Sequence, residues 1–223
     1  MDASTADRIL GQSWEDYARE AIAEAGAEFP GRGRVVEAFG EPDSFEEVVA
    51  PFGARWPGLA AAPSPLPADA DHVAARVLAA LHEAADGDGD GGDDADGEDG
   101  DADGGDDDDA ESCLLDRPYR STDLPALAEE RDLAGSWPYD MAELCTVLRS
   151  WEERFGTRLV GLGDDRLILS VAAPAGTPAD AEAVAAEHFA FAPDTITQGF
   201  DETLRAHAAH QILNHPIWSF WWD

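Results

Sequence analysis

Hydrophobic positions in the last third of the chain follow first a helical and then a strand period. A helical stripe begins after the capping residue Asp140 and stops at Gly156, and its members are Met141, Leu144, Leu148, Trp151 and Phe155. Two apolar runs follow at 158–162 and 166–172, separated by the turn-forming residues 163–165. This pattern predicts a helix that leads into a β-hairpin.

The segments around this core complete a mixed α/β unit. Residues 113–115 predict a short strand and residues 123–131 a short helix, while Thr177 and the positions after it are typical of a helix start. Residues 201–213 predict a further helix, and the aromatic run at 217–222 predicts a last strand. The resulting order is strand, helix, two strands, helix, strand, which is the ferredoxin-like split βαβ order with extra helices. We therefore predict an α+β fold, a mostly antiparallel sheet with helices on one face.

The pattern divides the chain into three parts. Residues 1–85 form an N-terminal helical and mixed region, residues 86–111 a disordered acidic linker, and residues 112–223 the C-terminal α+β domain. Within the first part, helical periodicity covers 4–28 and 71–85, and a short strand is expected at 35–36. This region either packs on the C-terminal domain or forms a second small lobe.

The acidic linker contains fifteen carboxylates, no basic residue and no apolar residue larger than alanine. Such a segment cannot bury enough surface to offset its ordering entropy, so we predict disorder. A calcium-binding EF-hand loop needs a glutamate at its twelfth position, but the register that begins at Asp99 has Ala110 there. Only weak divalent-cation association is therefore expected.

The formal net charge of −34 disfavours binding to nucleic acids and to anionic membranes, because both require a basic face. It leaves a protein partner, for which a basic surface is the complementary choice. The two cysteines, Cys113 and Cys145, are too few for a disulfide framework. The first residues lack the pattern of a signal peptide and no apolar run is long enough to cross a membrane, so we expect a cytoplasmic protein.

Several stretches between 140 and 223 carry a family resemblance: VLRSWEERFGTRLVGLG, LILSVAAP, AEHFAFAPD and the terminal WSFWWD. They resemble the bacterial domain of unknown function 4253 family, and WPGLA at 56–60 is similar to a segment that precedes the domain in that family. The chain departs from the family pattern at Ala192 and at 195–197. Because the family's activity is uncharacterised, the resemblance implies the domain but no reaction.

Four histidines are candidate metal ligands: His188, His207, His210 and His215. A spacing of three places two of them on one helix face, and such imidazoles can bind zinc together with Glu187 or Asp201. No cysteine pair and no H-E-x-x-H motif accompanies them. A core role for His188 is the alternative. This cluster supports one functional hypothesis, a metal-dependent or hydrolytic enzyme.

Tryptophans support the other hypothesis, and the candidates are Trp56, Trp218, Trp221 and Trp222. Strand alternation sends Trp221 to the opposite face from Trp218 and Trp222, and a one-layer sheet buries only one face fully. We expect Trp221 to be the exposed member, and Trp56 to anchor its segment in a surface groove. The leading hypothesis is a non-catalytic cytoplasmic interaction domain of an immunity or regulatory type, without a cofactor.

Overall fold

A computed structural model describes the chain in five ranges, 3–25, 43–63, 68–87, 113–135 and 137–222. Two sequence predictions lie outside the described residues: the strand at 35–36, and the acidic linker from residue 88 onwards. Within the described ranges, no helix is both long and apolar enough to span a membrane.

Four strands form one antiparallel sheet in the order β1-β2-β3-β4. They are β1 Leu114–Tyr119, β2 Thr157–Leu162, β3 Arg166–Val171 and β4 Ile217–Trp221. The predicted hairpin is confirmed as β2–β3, and the Gly163 N–H closes its turn on the Arg166 carbonyl at 2.8 Å. The outer strands, β1 and β4, are the two edges of this sheet.

Eight helices accompany the sheet in the described residues. They are α1 Ala3–Ala25, α2 Phe45–Val48, α3 Ala70–Gly87, α4 Leu124–Glu130, α5 Met141–Phe155, α6 Pro178–Phe191, α7 Asp194–Thr197 and α8 Leu204–His207. A 3-10 turn at Ser121–Asp123 precedes α4, and a π-helical turn at Ala208–Ile212 continues α8. The α+β class predicted from the sequence is confirmed.

Local capping signals account for where the central helices begin and end. The Asp140 carboxylate accepts a hydrogen bond from the Glu143 N–H at 2.8 Å, and Gly156 ends α5 in the left-handed region with φ 63°. Thr177 caps α6 in the same way through the Asp180 N–H. These ends satisfy main-chain groups that the helices themselves leave without partners.

The strand connectivity differs from a split βαβ arrangement. There, a third strand lies between two parallel strands joined by a helix, whereas here β1 and β2 are direct antiparallel neighbours, as are β3 and β4. Each of these two connections contains more than one helix, α4 and α5 in the first case. The chain thus returns to the end of the sheet that it left, and antiparallel pairing results.

Helices cover both faces of the sheet, so the prediction of helices on one face was wrong. Helix α3 packs against β1, β2 and β3 and forms a small apolar cluster of Ala74, Leu78, Cys113, Val160 and Ile168. The physical reason lies in β2, in which all six residues are buried. A strand that is apolar on both sides needs a layer on each face.

The other face carries the main core, which the N-terminal helix shares. Trp14 of α1 is fully buried and meets Phe189 of α6 edge to face, with ring centroids 5.3 Å apart. Helix α1 contacts both α5 and α6. Of the two arrangements open for the N-terminal region, the structure therefore shows packing on the C-terminal unit.

Candidate recognition site at the edge of the sheet

Strand β4 sends its aromatic side chains to two faces, as alternation predicts. Trp218 and Trp222 point into the core and are 1% and 4% exposed. Trp221 points the other way, with Ser219 and Ile217, and is partly exposed. Trp218 and Trp222 therefore cannot serve as accessible binding groups in this conformation, whereas Trp221 can.

Trp56 anchors its segment in a groove, and that groove belongs to the same chain. Its indole N–H donates to the Asp7 carboxylate at 2.8 Å, and its ring lies against Gly11 of α1. A Cβ atom at Gly11 would lie 2.9 Å from the Trp56 ring, so only glycine allows this approach. Trp56 is thus engaged within the fold rather than offered to a partner.

A cavity of about 310 Å³ opens beside β4. Its wall combines aromatic and polar side chains, among them Phe200, Asp201, His207, His215, Ser219 and Trp221. Phe200 is an exposed large hydrophobic side chain, at 105% of its reference area. A volume of this size is at the lower end of the range for ligand pockets, about 300–1,000 Å³.

The backbone of β4 faces this cavity through alternate residues. Hydrogen bonds from the Val171 N–H to the Pro216 carbonyl and from the Trp222 N–H to the Asp165 carbonyl set the ladder with β3. Even-numbered residues of β4 therefore bond to β3, and the main-chain groups of Ser219 and Trp221 point away from the sheet. At Trp221 the Thr195 hydroxyl covers that edge, since it accepts from the N–H at 3.1 Å and bonds the carbonyl at 3.2 Å.

Three of the four candidate histidines, His188, His207 and His215, border this cavity, and His210 does not. His188 and His207 are buried and meet through Nδ1 and Nε2 at 3.2 Å, whereas His210 is exposed and its Nδ1 lies 2.6 Å from an Asp201 oxygen. Among the described residues, no group of three or more His, Cys, Asp or Glu side chains could hold a metal ion. His207 is buried and His210 is exposed, so the two histidines lie on different sides of the helical segment that continues from α8 into the π-helical turn.

Burial sets the protonation of the histidine pair. Loss of solvation lowers the pKa of His207 to about 4, against the opposing effect of nearby Asp201, and holds the pKa of His188 well below its ordinary value. Both rings are therefore neutral at pH 7, and a single proton lies between the two facing nitrogens. Among the described residues, His188 Nε2 and Trp218 Nε1 are the buried side-chain atoms without a hydrogen-bond partner, and both residues border the cavity.

Comparison with known proteins finds a family match for this part of the chain. The family model described as Domain of unknown function (DUF4253) matches residues 120–223. The resemblance predicted from the sequence is confirmed. The match contains β2, β3, β4 and the whole cavity wall, and it begins after β1. No curated protein and no solved structure gives a match.

A buried ion pair joins the DUF4253 region to the segment before it. Glu187 of α6 is 0% exposed and accepts two hydrogen bonds of 2.6 Å from Arg154 of α5 and one of 2.8 Å from Trp151. The Ala60 N–H donates to the same carboxylate at 2.7 Å, and Arg154 in turn donates to the Ala60 carbonyl at 3.0 Å. Both main-chain groups of Ala60 therefore hydrogen-bond to the matched domain. Ala60 belongs to residues 56–60, which resemble the segment that precedes the domain in the family.

Sequence reasoning missed this ion pair because its members are far apart in sequence. It treated Glu187 as a possible zinc partner. A second carboxylate on α5, Glu152, accepts hydrogen bonds from Arg120 at 2.8 Å and from the Ser121 main chain at 3.1 Å. The one available signal was composition, since an acidic residue inside the apolar stripe of α6 requires a buried basic partner.

Proposed function

We propose that this protein is a non-catalytic interaction module that recognises a protein partner through the cavity beside β4. The observation that carries the proposal is Trp221, which is partly exposed on the edge strand β4 and borders the same cavity as the fully exposed Phe200. Aromatic side chains are enriched at protein interfaces and contribute a large share of their binding energy. A cytoplasmic immunity or regulatory role is the biological setting we propose.

Charge supports a basic partner. The chain carries a formal net charge of −34, and arginines are its only basic residues apart from six histidines. Complementary potentials accelerate association and exclude partners of like charge. A basic protein surface is therefore the best match for this molecule.

The histidine-based enzyme has less support from the geometry. His207 borders the cavity, but its Nε2 already faces His188, and His210 is engaged by Asp201. The thiols of Cys113 and Cys145 have their pKa raised by burial, which keeps them in the less nucleophilic thiol form. Recognition uses the exposed groups as they stand, without a rearrangement of these pairs.

Replacing Trp221 with alanine tests the proposal. An interface tryptophan commonly contributes about 2 kcal/mol or more, so partner capture from lysate should weaken by roughly thirtyfold. The melting temperature should change little, because Trp221 lies outside both apolar clusters. Capture is measured by quantitative mass spectrometry of the retained proteins.

Ile22→Ala is the matched control. Ile22 and Phe200 are the exposed large hydrophobic residues among those described, and Ile22 does not border the cavity. Its loss should leave the captured proteins unchanged. Equal capture by wild type and Trp221→Ala would refute the proposed function, and unfolding of Trp221→Ala would show that Trp221 is a core residue.

A further inference from the structure

We infer that the cavity beside β4 receives an extended basic segment, whose backbone pairs with Ser219 and whose cationic side chain lies against Trp221 and Asp201. The inference rests on the proposed function, since it specifies what the partner presents to the same site. Three features of the cavity support it: a strand edge that no described strand pairs with, an aromatic surface, and a carboxylate without a partner among the described arginines.

The unused edge is the main chain of Ser219. Its N–H and C=O point away from β3, Ser219 is exposed, and no described residue hydrogen-bonds to these two groups. Two positions along, the Thr195 hydroxyl bonds both the N–H and the C=O of Trp221. Thr195 thus satisfies the outward main-chain groups of Trp221 in the way that an added strand would. The outward N–H and C=O of Ser219 are left for a segment that adds to the sheet.

The aromatic and acidic groups define the side chain that such a segment would bring. A guanidinium or ammonium group is attracted to the face of tryptophan, and Trp221 and Phe200 both border the cavity. Asp201 accepts hydrogen bonds from His210 and from Gln211, but no described arginine pairs with it. A carboxylate oxygen can accept more than one hydrogen bond, so Asp201 can also receive a cationic donor.

Charge indicates the same kind of segment. The net charge of −34 then favours a basic rather than an acidic sequence for that segment.

The test uses two blocked five-residue peptides of strand-forming composition, Val-Thr-Arg-Val-Thr and the same peptide with Gln in place of Arg. Binding to the full chain is followed by amide and indole NMR shifts during titration up to several millimolar peptide. We expect the Arg peptide to bind at least about tenfold more tightly than the Gln peptide, and Asp201→Asn to remove most of that difference.

A matched pair of variants at Ser219 tests the backbone contact. Ser219→Ala and Ser219→Pro both remove the hydroxyl, but only proline removes the outward N–H, and proline is tolerated on edge strands. Ser219→Ala should bind the Arg peptide within about twofold of wild type, and Ser219→Pro at least about tenfold more weakly. An N-methylated copy of the peptide tests the same hydrogen bonds without altering the protein.

Each result decides between the two proposals. Equal affinity for the Arg and Gln peptides would overturn the cationic side chain. Equal binding by both Ser219 variants together with unchanged binding of the N-methylated peptide would overturn the backbone pairing. If neither peptide binds but Trp221→Ala still loses partner capture, the extended segment is wrong and the proposed function stands. If both experiments are negative, both proposals fail.

Discussion

Glu187 and His188 are neighbours on α6, and their buried polar atoms have opposite surroundings. Glu187 is 0% exposed and its two oxygens accept from Arg154, Trp151 and Ala60. His188 is 1% exposed, faces His207 through one nitrogen and leaves the other without a described partner. A buried charge persists only when it is fully compensated, whereas a neutral imidazole can be buried with one polar atom unsatisfied.

The two sets of buried polar atoms lie in different parts of the molecule. The Glu187 group joins α5, α6 and the segment that contains Ala60, and both carboxylate oxygens have described partners. The His188 group borders the cavity beside β4, where the indole N–H of Trp218 is also without a described partner. The buried polar atoms without a described partner therefore lie at the wall of the cavity, and those of the Glu187 group do not.

Trp151 touches both groups, and its removal should have the largest effect. Its indole donates to Glu187, its ring stacks on Phe220 with centroids 5.3 Å apart, and its edge meets His188 at 5.6 Å. Trp151→Ala should lower the free energy of unfolding by about 5 kcal/mol, the upper end for a buried aromatic residue. Denaturant unfolding measures this value. Glu153→Ala on the exposed side of α5 is the control, and a loss below about 1 kcal/mol for Trp151→Ala would contradict the orientation of α5.

Removing Arg154 should show how strongly the stability of the protein depends on neutralising the buried charge of Glu187. Arg154→Met leaves a buried carboxylate without its cation and should cost about 3–5 kcal/mol. Adding Glu187→Leu should restore only part of that stability, because it removes the uncompensated charge but leaves the Trp151 and Ala60 N–H donors without their acceptor.

The surface pair Arg205 and Glu182 provides the comparison for Arg154→Met. Arg205 is 63% exposed and lies 3.0 Å from Glu182, so Arg205→Met should change the unfolding free energy by less than about 1 kcal/mol. A similar loss for both arginine variants would mean that burial of Glu187 is not what makes the pair important. Both values come from the same denaturant titrations.

The histidine pair should respond to pH rather than to the loss of a cation. The folded-state pKa of His207 is lowered to about 4, so below the unfolded pKa of about 6.5 the unfolded chain binds more protons than the folded one. Its contribution to stability is complete above about pH 6.5 and decreases as the pH falls towards 4, by about 3 kcal/mol in total. The lowered pKa of His188 likewise makes the protein less stable as the pH falls.

The double variant His188→Phe, His207→Leu isolates this effect. Its unfolding free energy should depend less on pH than that of wild type between pH 6.5 and 4, while the carboxylates contribute equally to both proteins. Denaturant unfolding at several pH values measures the difference. Parallel pH profiles for the two proteins would contradict a buried, neutral histidine pair.

Much of the fold could be predicted because its signals are local. The cap at Asp140, the stop at Gly156 and the tight turn of the β2–β3 hairpin each depend on a few consecutive residues, and all are present. The second covered face was missed because the apolar residues of α3 and the doubly buried β2 are separated by the acidic segment and two further helices. The spacing of apolar residues within one helix or strand cannot show which helix covers which face of the sheet.

The amino-acid sequence by itself determined the bounds of α5, the β2–β3 hairpin, the opposite orientations of Trp218 and Trp221, and the acidic charge of this protein. Tertiary structure alone decided that Ala60 and Arg154 meet Glu187, that His188 meets His207, and that no described residue pairs with the outward main chain of Ser219. The physical reason is the range of the interactions. Caps and alternation act over a few residues, whereas compensation of a buried charge is chosen by packing between residues as far as 127 positions apart.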